Sequence, residues 1–350
     1  MTDKLILKAP RKTVNNYRNK DAMKAVHNKM QQQKNGSTFP LLSLQLELTN
    51  HCNCYCKHCY NNSGVCNNVP DPITPDIWKE FARRLVNKGG VAECILSGGE
   101  PMLLGDSLLE LMDIFHNDGS IFLLNTNGYF LTHDKAIRLS KYKYHWIQVS
   151  IDGASEQYHD EFRRLTGSWR HAIKAAQMVA EYGIPLKIAH CVTPHNLYDI
   201  NKICDLAYGI GATSIMIGGV SFSGRAAINK DILLDKTQQK VLEEEIRENI
   251  AKYAGKMYVR FTNSVYNGLK RHMHKPTEIA VIRPNGDIRI DGMAPFVVGN
   301  ILKDDFETVW INQLESGWHD SRVLSYINGY NENDRNEELV NYIDSDVYLY

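Results

Sequence analysis

The sequence predicts an α/β fold in which parallel strands alternate with helices, followed by a small α+β appendage. Three observations predict it. Between residues 43 and 217, short apolar or alternating runs alternate six times with helical segments, the pattern of βαβ units with right-handed crossovers. Two of the strands are polar on one face only: Gln148, Ser150 and Asp152 oppose Ile147, Val149 and Ile151, while Gln45, Glu47 and Thr49 oppose Leu44, Leu46 and Leu48. Past about residue 255 the rhythm ends, and Glu278–Ile290 (EIAVIRPNGDIRI) reads as a hairpin around Pro284-Asn285-Gly286-Asp287.

Residues 1–41 form a polar lead-in, flexible or lightly helical. Ser43–Leu48 alternates as a strand. Thr74–Lys88 is a helix, with Thr74 as N-cap and Pro75 at its first position. Then come strand Glu93–Ser97, helix Ser107–Asn117, strand Ile121–Asn125 and a helix starting near Thr132. Strand Trp146–Ile151, helix Ser168–Tyr182, strand Leu186–Cys191, helix Leu197–Tyr208 and strand Ser214–Ile217 complete the six repeats. A longer, charged helix spans Lys236–Tyr253. The appendage adds strand-like Met257–Phe261, the hairpin, Val297–Ile301 and a helix near Phe306–Leu314. The tail from Asn328 to Tyr350 is acidic and tyrosine-rich and reads as flexible. The expected division is a lead-in (1–41), a barrel (42–230), an appendage (231–325) and a tail (326–350).

Six repeats fit an incomplete (β/α)6 barrel or an open doubly wound sheet. Central strands of an ordinary parallel sheet are apolar on both faces, so one-sided polarity favours a barrel whose lumen holds a ligand. A solvent-facing edge strand is the alternative for either strand alone.

Lys plus Arg and Asp plus Glu each number 40. The resulting neutrality argues against a general electrostatic grip on nucleic acid. No apolar secretion signal opens the chain, and no run approaches the roughly 18 apolar residues of a membrane span. A cytoplasmic protein with neither nucleic-acid nor membrane partners is expected. There stable disulfides are disfavoured, so the cluster among the eight cysteines points to metal or redox chemistry.

Five of them crowd Leu48–Cys66, LTNHCNCYCKHCYNNSGVC. Structural zinc usually takes two separated C-x2-C pairs; only Cys56 and Cys59 make one, and the last cysteine is Cys204. The ferredoxin run is absent too. What stands is Cys52-x3-Cys56-x2-Cys59, directly after the first strand, where α/β barrels place active sites. Three thiolates on a four-iron cluster leave one iron open to chemistry. Cys54 falls on the wrong spacing, and Cys66 stays unassigned.

This spacing resembles the radical S-adenosylmethionine (SAM) superfamily. Ser97-Gly98-Gly99-Glu100-Pro101 resembles its GGEP motif, Asn125-Thr126-Asn127-Gly128 its third-strand end, and Ser150-Ile151-Asp152-Gly153 with His159-Asp160 and Arg163 a stretch of its peptide-modifying members. Ser223-Gly224-Arg225-Ala226 follows strand six. The resemblance implies a TIM-like partial barrel and one [4Fe–4S] cluster on Cys52, Cys56 and Cys59. The open iron would chelate SAM, and one electron, from a partner such as flavodoxin or ferredoxin, would release a 5′-deoxyadenosyl radical. Gly98 and Gly99 would let backbone approach the ligand. Glu100 would receive the methionyl amine, with Pro101 and Asn127 beside it. Ser150 and Asp152 would bind ribose hydroxyls or the amino-acid moiety, and Arg163 a carboxylate.

Pro284–Ile301 resembles the hairpin of SPASM and twitch domains, but no cysteine follows it, so no auxiliary cluster is expected there. Such domains imply a precursor-peptide substrate, matured by epimerisation or by a C–C, C–O or C–S crosslink. The lead-in is too short for a leader-binding winged helix. Epimerisation needs a hydrogen donor, for which Cys191, on the lumenal face of strand five, is the candidate. Cys94 and Cys204 read as core; Tyr55 and His58 would cover the cluster or pack within the loop. A small-molecule substrate (sugar, nucleoside or antibiotic precursor) is the alternative.

Overall fold

Strands β1 (Leu41–Glu47), β2 (Val91–Ser97), β3 (Ile121–Thr126), β4 (Tyr144–Ser150), β5 (Leu186–Val192), β6 (Ser214–Gly219) and β7 (Tyr258–Phe261) lie side by side in sequence order, every pair parallel. The computed structural model describes residues 20–36, 41–64, 71–262, 265–329 and 346–350. Helices α1 (Lys20–Gly36), α2 (Pro75–Asn87), α3 (Asp106–Asn117), α4 (His133–Leu139), α5 (Glu156–Arg163), α6 (Ser168–Glu181), α7 (Ile200–Ile210), α8 (Lys236–Lys252) and α9 (Val265–His274) accompany them. This is a mixed α/β partial barrel.

Local chemistry sets these elements. Thr74 accepts from the Ile77 amide at 3.4 Å and Pro75 opens α2, whose Trp78, Phe81 and Leu85 are buried. Leu44, Leu46, Ile147 and Val149 are fully buried in the main core, while Gln45, Gln148 and Ser150 on the opposite face are half-buried. The alternation read from the sequence is therefore an inner polar face and an outer apolar one. Cys94 and Cys204 are core residues, as expected.

Up to β7, three elements differ from expectation. Residues 20–36 of the lead-in form α1, whose Ala22 and Val26 pack on Ala92 and Ile121, while Lys29 pairs with Asp118 at 2.7 Å. It covers the amino-terminal end of β2 and β3. Met257–Phe261, grouped with the appendage, contributes β7, a seventh parallel strand registered on β6 (Ser214 opposite Tyr258). The α5 helix was not foreseen.

The appendage continues the same sheet. β8 (Ile279–Ile282) pairs parallel with β1, Ser43 opposite Ile279. β8 and β9 (Asp287–Arg289) form the expected antiparallel hairpin, with Gly286 at φ +92° in a turn that suits glycine. β10 (Phe296–Asn300) pairs antiparallel with β9. The tail does not end loose: β11 (Val347–Tyr348) pairs parallel with β10. Residues 330–345 of the tail, and Cys66, lie outside the described residues. Among the described residues no helix is long and apolar enough to cross a membrane.

Candidate functional site: a clamped three-thiol loop

The cysteine loop leaves the carboxyl end of β1 and is held from three sides. From β2, the Gly99 amide donates to Thr49 O at 2.6 Å and the Glu100 amide to His51 O at 2.9 Å. Gly98 sits at φ +133°, and a Cβ on Gly99 would stand 2.1 Å from His51 O. The glycines thus admit the loop's own backbone at close range. From the end of α5, Phe162 O and Arg163 O accept the Lys57 and Tyr55 amides at 2.9 and 3.1 Å. From beyond β6, Arg225 donates Nε to Cys56 O at 2.7 Å and Nη1 to Asn62 Oδ1 at 3.1 Å. Its guanidinium lies 4.0 Å from the Tyr55 ring centroid, a cation–π contact. Gly224 is required here, because a Cβ would fall 2.3 Å from Cys59 O.

Cys52 and Cys59 are half-buried, and Cys54 and Cys56 buried, all free thiols. Cys54, off the three-thiol spacing, sits among the loop's sulfurs. Asn127 Nδ2 reaches its Sγ at 3.6 Å and that of Cys52 at 3.8 Å, and Cys54 hydrogen-bonds to Cys52 and Cys56. The bond from Cys54 lowers the Cys56 thiol to about 7, whereas burial pushes Cys59 up to about 11. Asn53 Nδ2, His58 Nδ1 and Ser97 Oγ are buried around the loop without a protein partner. Buried polar atoms are normally satisfied, so this mouth suits a polar ligand.

Glu100 is fully buried, and its carboxylate takes Thr126 Oγ1 at 2.7 Å, the Asn127 amide at 2.7 Å and the Met102 amide at 3.0 Å. Burial raises its pKa against these three donors. Pro101 is buried at the start of a short 3-10 turn, Pro101–Leu104.

Asp152 is held by protein groups on both carboxylate oxygens. Arg163 donates to Asp152 Oδ2 from Nε at 2.9 Å and Nη2 at 2.8 Å, and the Cys191 amide donates to Oδ1 at 2.9 Å. The carboxylate that Arg163 meets is Asp152. Burial alone would raise Asp152, but the guanidinium holds it well below the usual carboxylate range. Its neighbours in the motif are hydrogen-bonded within the protein too. His159 Nδ1 accepts from the Asp152 amide at 3.1 Å, and Asp160 accepts from the Trp169 amide at 2.8 Å, at the start of α6. Burial lowers His159 to about 3 and His58 to about 4. Ser150 stays half-buried on the inner face.

Cys191 faces the site: its sulfur, a His58 ring nitrogen and an Asp152 carboxylate oxygen all lie within 4.8 Å of one another. Burial pushes its thiol up, keeping it protonated. Of the two loop rings expected to cover the cluster or pack, both pack: His58 stacks on Phe162 at 4.6 Å and Tyr55 meets Arg225. The structure thus gathers Cys52, Cys56, Cys59, Gly98, Gly99, Glu100, Asn127 and Cys191 at one end of the sheet. Sequence reasoning missed the roles of Arg225 and Thr126; the quoted Ser223–Ala226 and Asn125–Gly128 runs were the available signals.

A family model described as "Radical SAM superfamily" matches residues 46–207. AdoMet-dependent heme synthase of Methanosarcina barkeri is 26% identical over 287 residues, 76% of this chain and 81% of the relative. PqqA peptide cyclase of Rhizobium meliloti is 26% identical over 295 residues, 83% of this chain and 77% of the relative. The antilisterial bacteriocin subtilosin biosynthesis protein AlbA of Bacillus subtilis is 25% identical over 282 residues, 79% of this chain and 61% of AlbA. Among solved structures, Streptococcus suis SuiB bound to S-adenosylmethionine superposes with a TM-score of 0.65 at 18% identity, covering 88% of this chain and 77% of SuiB. With its three-thiol loop, barrel order and matched segment, the chain carries a radical SAM domain over residues 46–207.

Proposed function

We propose that the chain is a radical SAM enzyme that abstracts hydrogen from a ribosomally made peptide, for epimerisation or for a C–C, C–O or C–S crosslink. The supporting observation is the clamped three-thiol loop at the carboxyl end of the barrel strands. The similarity to PqqA peptide cyclase and AlbA turns that chemistry toward peptides.

Cys52, Cys56 and Cys59 would hold a [4Fe–4S] cluster: three soft sulfur donors leave a position for SAM. When bound, cluster and SAM supply a 5′-deoxyadenosyl radical, given an electron from a flavodoxin- or ferredoxin-like partner. The chain orients the reaction and keeps water out. Glu100 keeps lone pairs beyond its three donors with which to receive an ammonium. Asn127, Ser97 and Ser150 line the same mouth, while Gly98, Gly99 and Pro101 seat the loop. Asp152 and Arg163 brace the wall as a pair. Cys191, a protonated thiol at the mouth, would give its S–H hydrogen atom to a substrate carbon radical, leaving a thiyl that an electron and a proton restore. A second reading, a small-molecule substrate, rests on the similarity to heme synthase.

The test is anaerobic reconstitution followed by SAM and dithionite. Formation of 5′-deoxyadenosine is expected, lost in Cys52→Ala, Cys56→Ala or Cys59→Ala variants. Absence of product at about four irons per chain would contradict the reading.

A further inference from the structure

The inner polar face continues past β1 into the appendage and there carries two buried arginines. Arg283 Nε lies 3.8 Å from Glu47 Oε2, and Glu47 takes the Tyr60 hydroxyl at 3.1 Å. Tyr60 follows Cys59, so this ionic group abuts the thiol loop. Arg289, opposite Val281 of β8, stands on the same face. Both side chains are nearly sealed, at 3% and 1% exposure. The chain fills the site with its own tail: Asp346 reaches Arg283 Nη1 at 2.5 Å and Arg289 Nη2 at 3.7 Å. Asp346 precedes an extended segment that adds to the edge of β10. The Val347 and Leu349 amides donate to Pro295 O and Val297 O at 2.6 and 2.9 Å.

A carboxylate on two guanidiniums, plus main-chain pairing along a sheet edge, is how extended peptides are held by strand addition. We infer that the Arg283–Arg289 pair and the β10 edge form a docking site for an extended peptide with an acidic side chain, and that Asp346–Tyr350 is a displaceable stand-in. The inference rests on the peptide-substrate reading. One Asp346 oxygen, Oδ1, is buried 3.7 Å from Arg289 without a hydrogen-bond partner, so the tail carboxylate fills the pair incompletely and can be exchanged.

The probe is a labelled pentapeptide with the sequence of residues 346–350, DVYLY, with NVYLY as control, read by fluorescence anisotropy. The full chain should bind it weakly, because a tethered copy competes at about millimolar effective concentration. A chain lacking residues 346–350 should bind DVYLY at least about tenfold more tightly, lose that gain with Arg283→Gln, and bind NVYLY as weakly as the full chain does. An unchanged affinity, or equal binding of both probes, would overturn the inference. Should the truncated chain not fold, Asp346→Asn in the full chain takes its place: it should strengthen DVYLY binding and leave peptide-free SAM cleavage unchanged, and no gain overturns the inference. Binding is read without turnover, so failure of the peptide-modifying reading would appear separately, as probe binding without peptide product.

Discussion

Arg225 donates its Nε hydrogen to the backbone oxygen of Cys56, 169 residues earlier, at 2.7 Å. The bond ties the segment after the sixth strand to the middle of the thiol loop. The spacing of the three thiols therefore depends on the far side of the barrel.

Arg225→Lys should weaken that clamp. Lysine keeps the charge but cannot donate in two directions from one plane while stacking on Tyr55. A lost hydrogen bond to a charged donor is worth about 1.5–3 kcal/mol, so iron retention after reconstitution and 5′-deoxyadenosine formation should fall about tenfold or more. Iron assay and product chromatography check this, with circular dichroism expected to be unchanged.

Asp152→Asn should destabilise the fold rather than merely slow it. It strips the counter-charge from a buried arginine, which typically costs about 3–5 kcal/mol. The urea midpoint should drop sharply. The double variant Asp152→Asn, Arg163→Met should recover part of it, because the stranded charge is gone.

His159 gives a pH signature. Its folded value, lowered by burial to about 3, lies below the roughly 6.5 of an unfolded histidine. The unfolded chain therefore binds the extra proton between these values. His159's share of stability is complete above about pH 6.5 and is lost as pH falls toward 3, with a slope of up to about 1.4 kcal/mol per pH unit. His159→Gln should flatten the acid limb of a stability–pH curve by that one proton.

Much of this architecture is legible in the sequence, because strand alternation and cysteine spacing are local. Leu44, Leu46, Ile147 and Val149 announce the buried face, and Cys52, Cys56 and Cys59 the loop. The pairings were not legible. Nothing local announces that Asp152 pairs with Arg163. The short β7, with Tyr258 exposed and Arg260 half-buried, carries too little apolar signal to announce a seventh parallel strand. Val347 and Tyr348, in a tail that reads as flexible, become a strand because β10 offers an edge.

Cys191→Ala should separate two steps. SAM cleavage should persist, since Cys191 is not one of the three loop thiols and its hydrogen bond to Asp152 comes from the backbone amide, which alanine keeps. Solvent deuterium entry into the peptide should vanish. Liquid chromatography with mass detection reads both in one assay.

The central claim is tested most directly by the mass of a short peptide encoded beside this chain's gene, after incubation in deuterated water with the reconstituted protein, SAM and reductant. The account predicts 5′-deoxyadenosine together with a single-residue change: one deuterium gained for epimerisation, or two hydrogens lost for a crosslink. Robust SAM cleavage with every such peptide unchanged, and a small molecule converted instead, would contradict it.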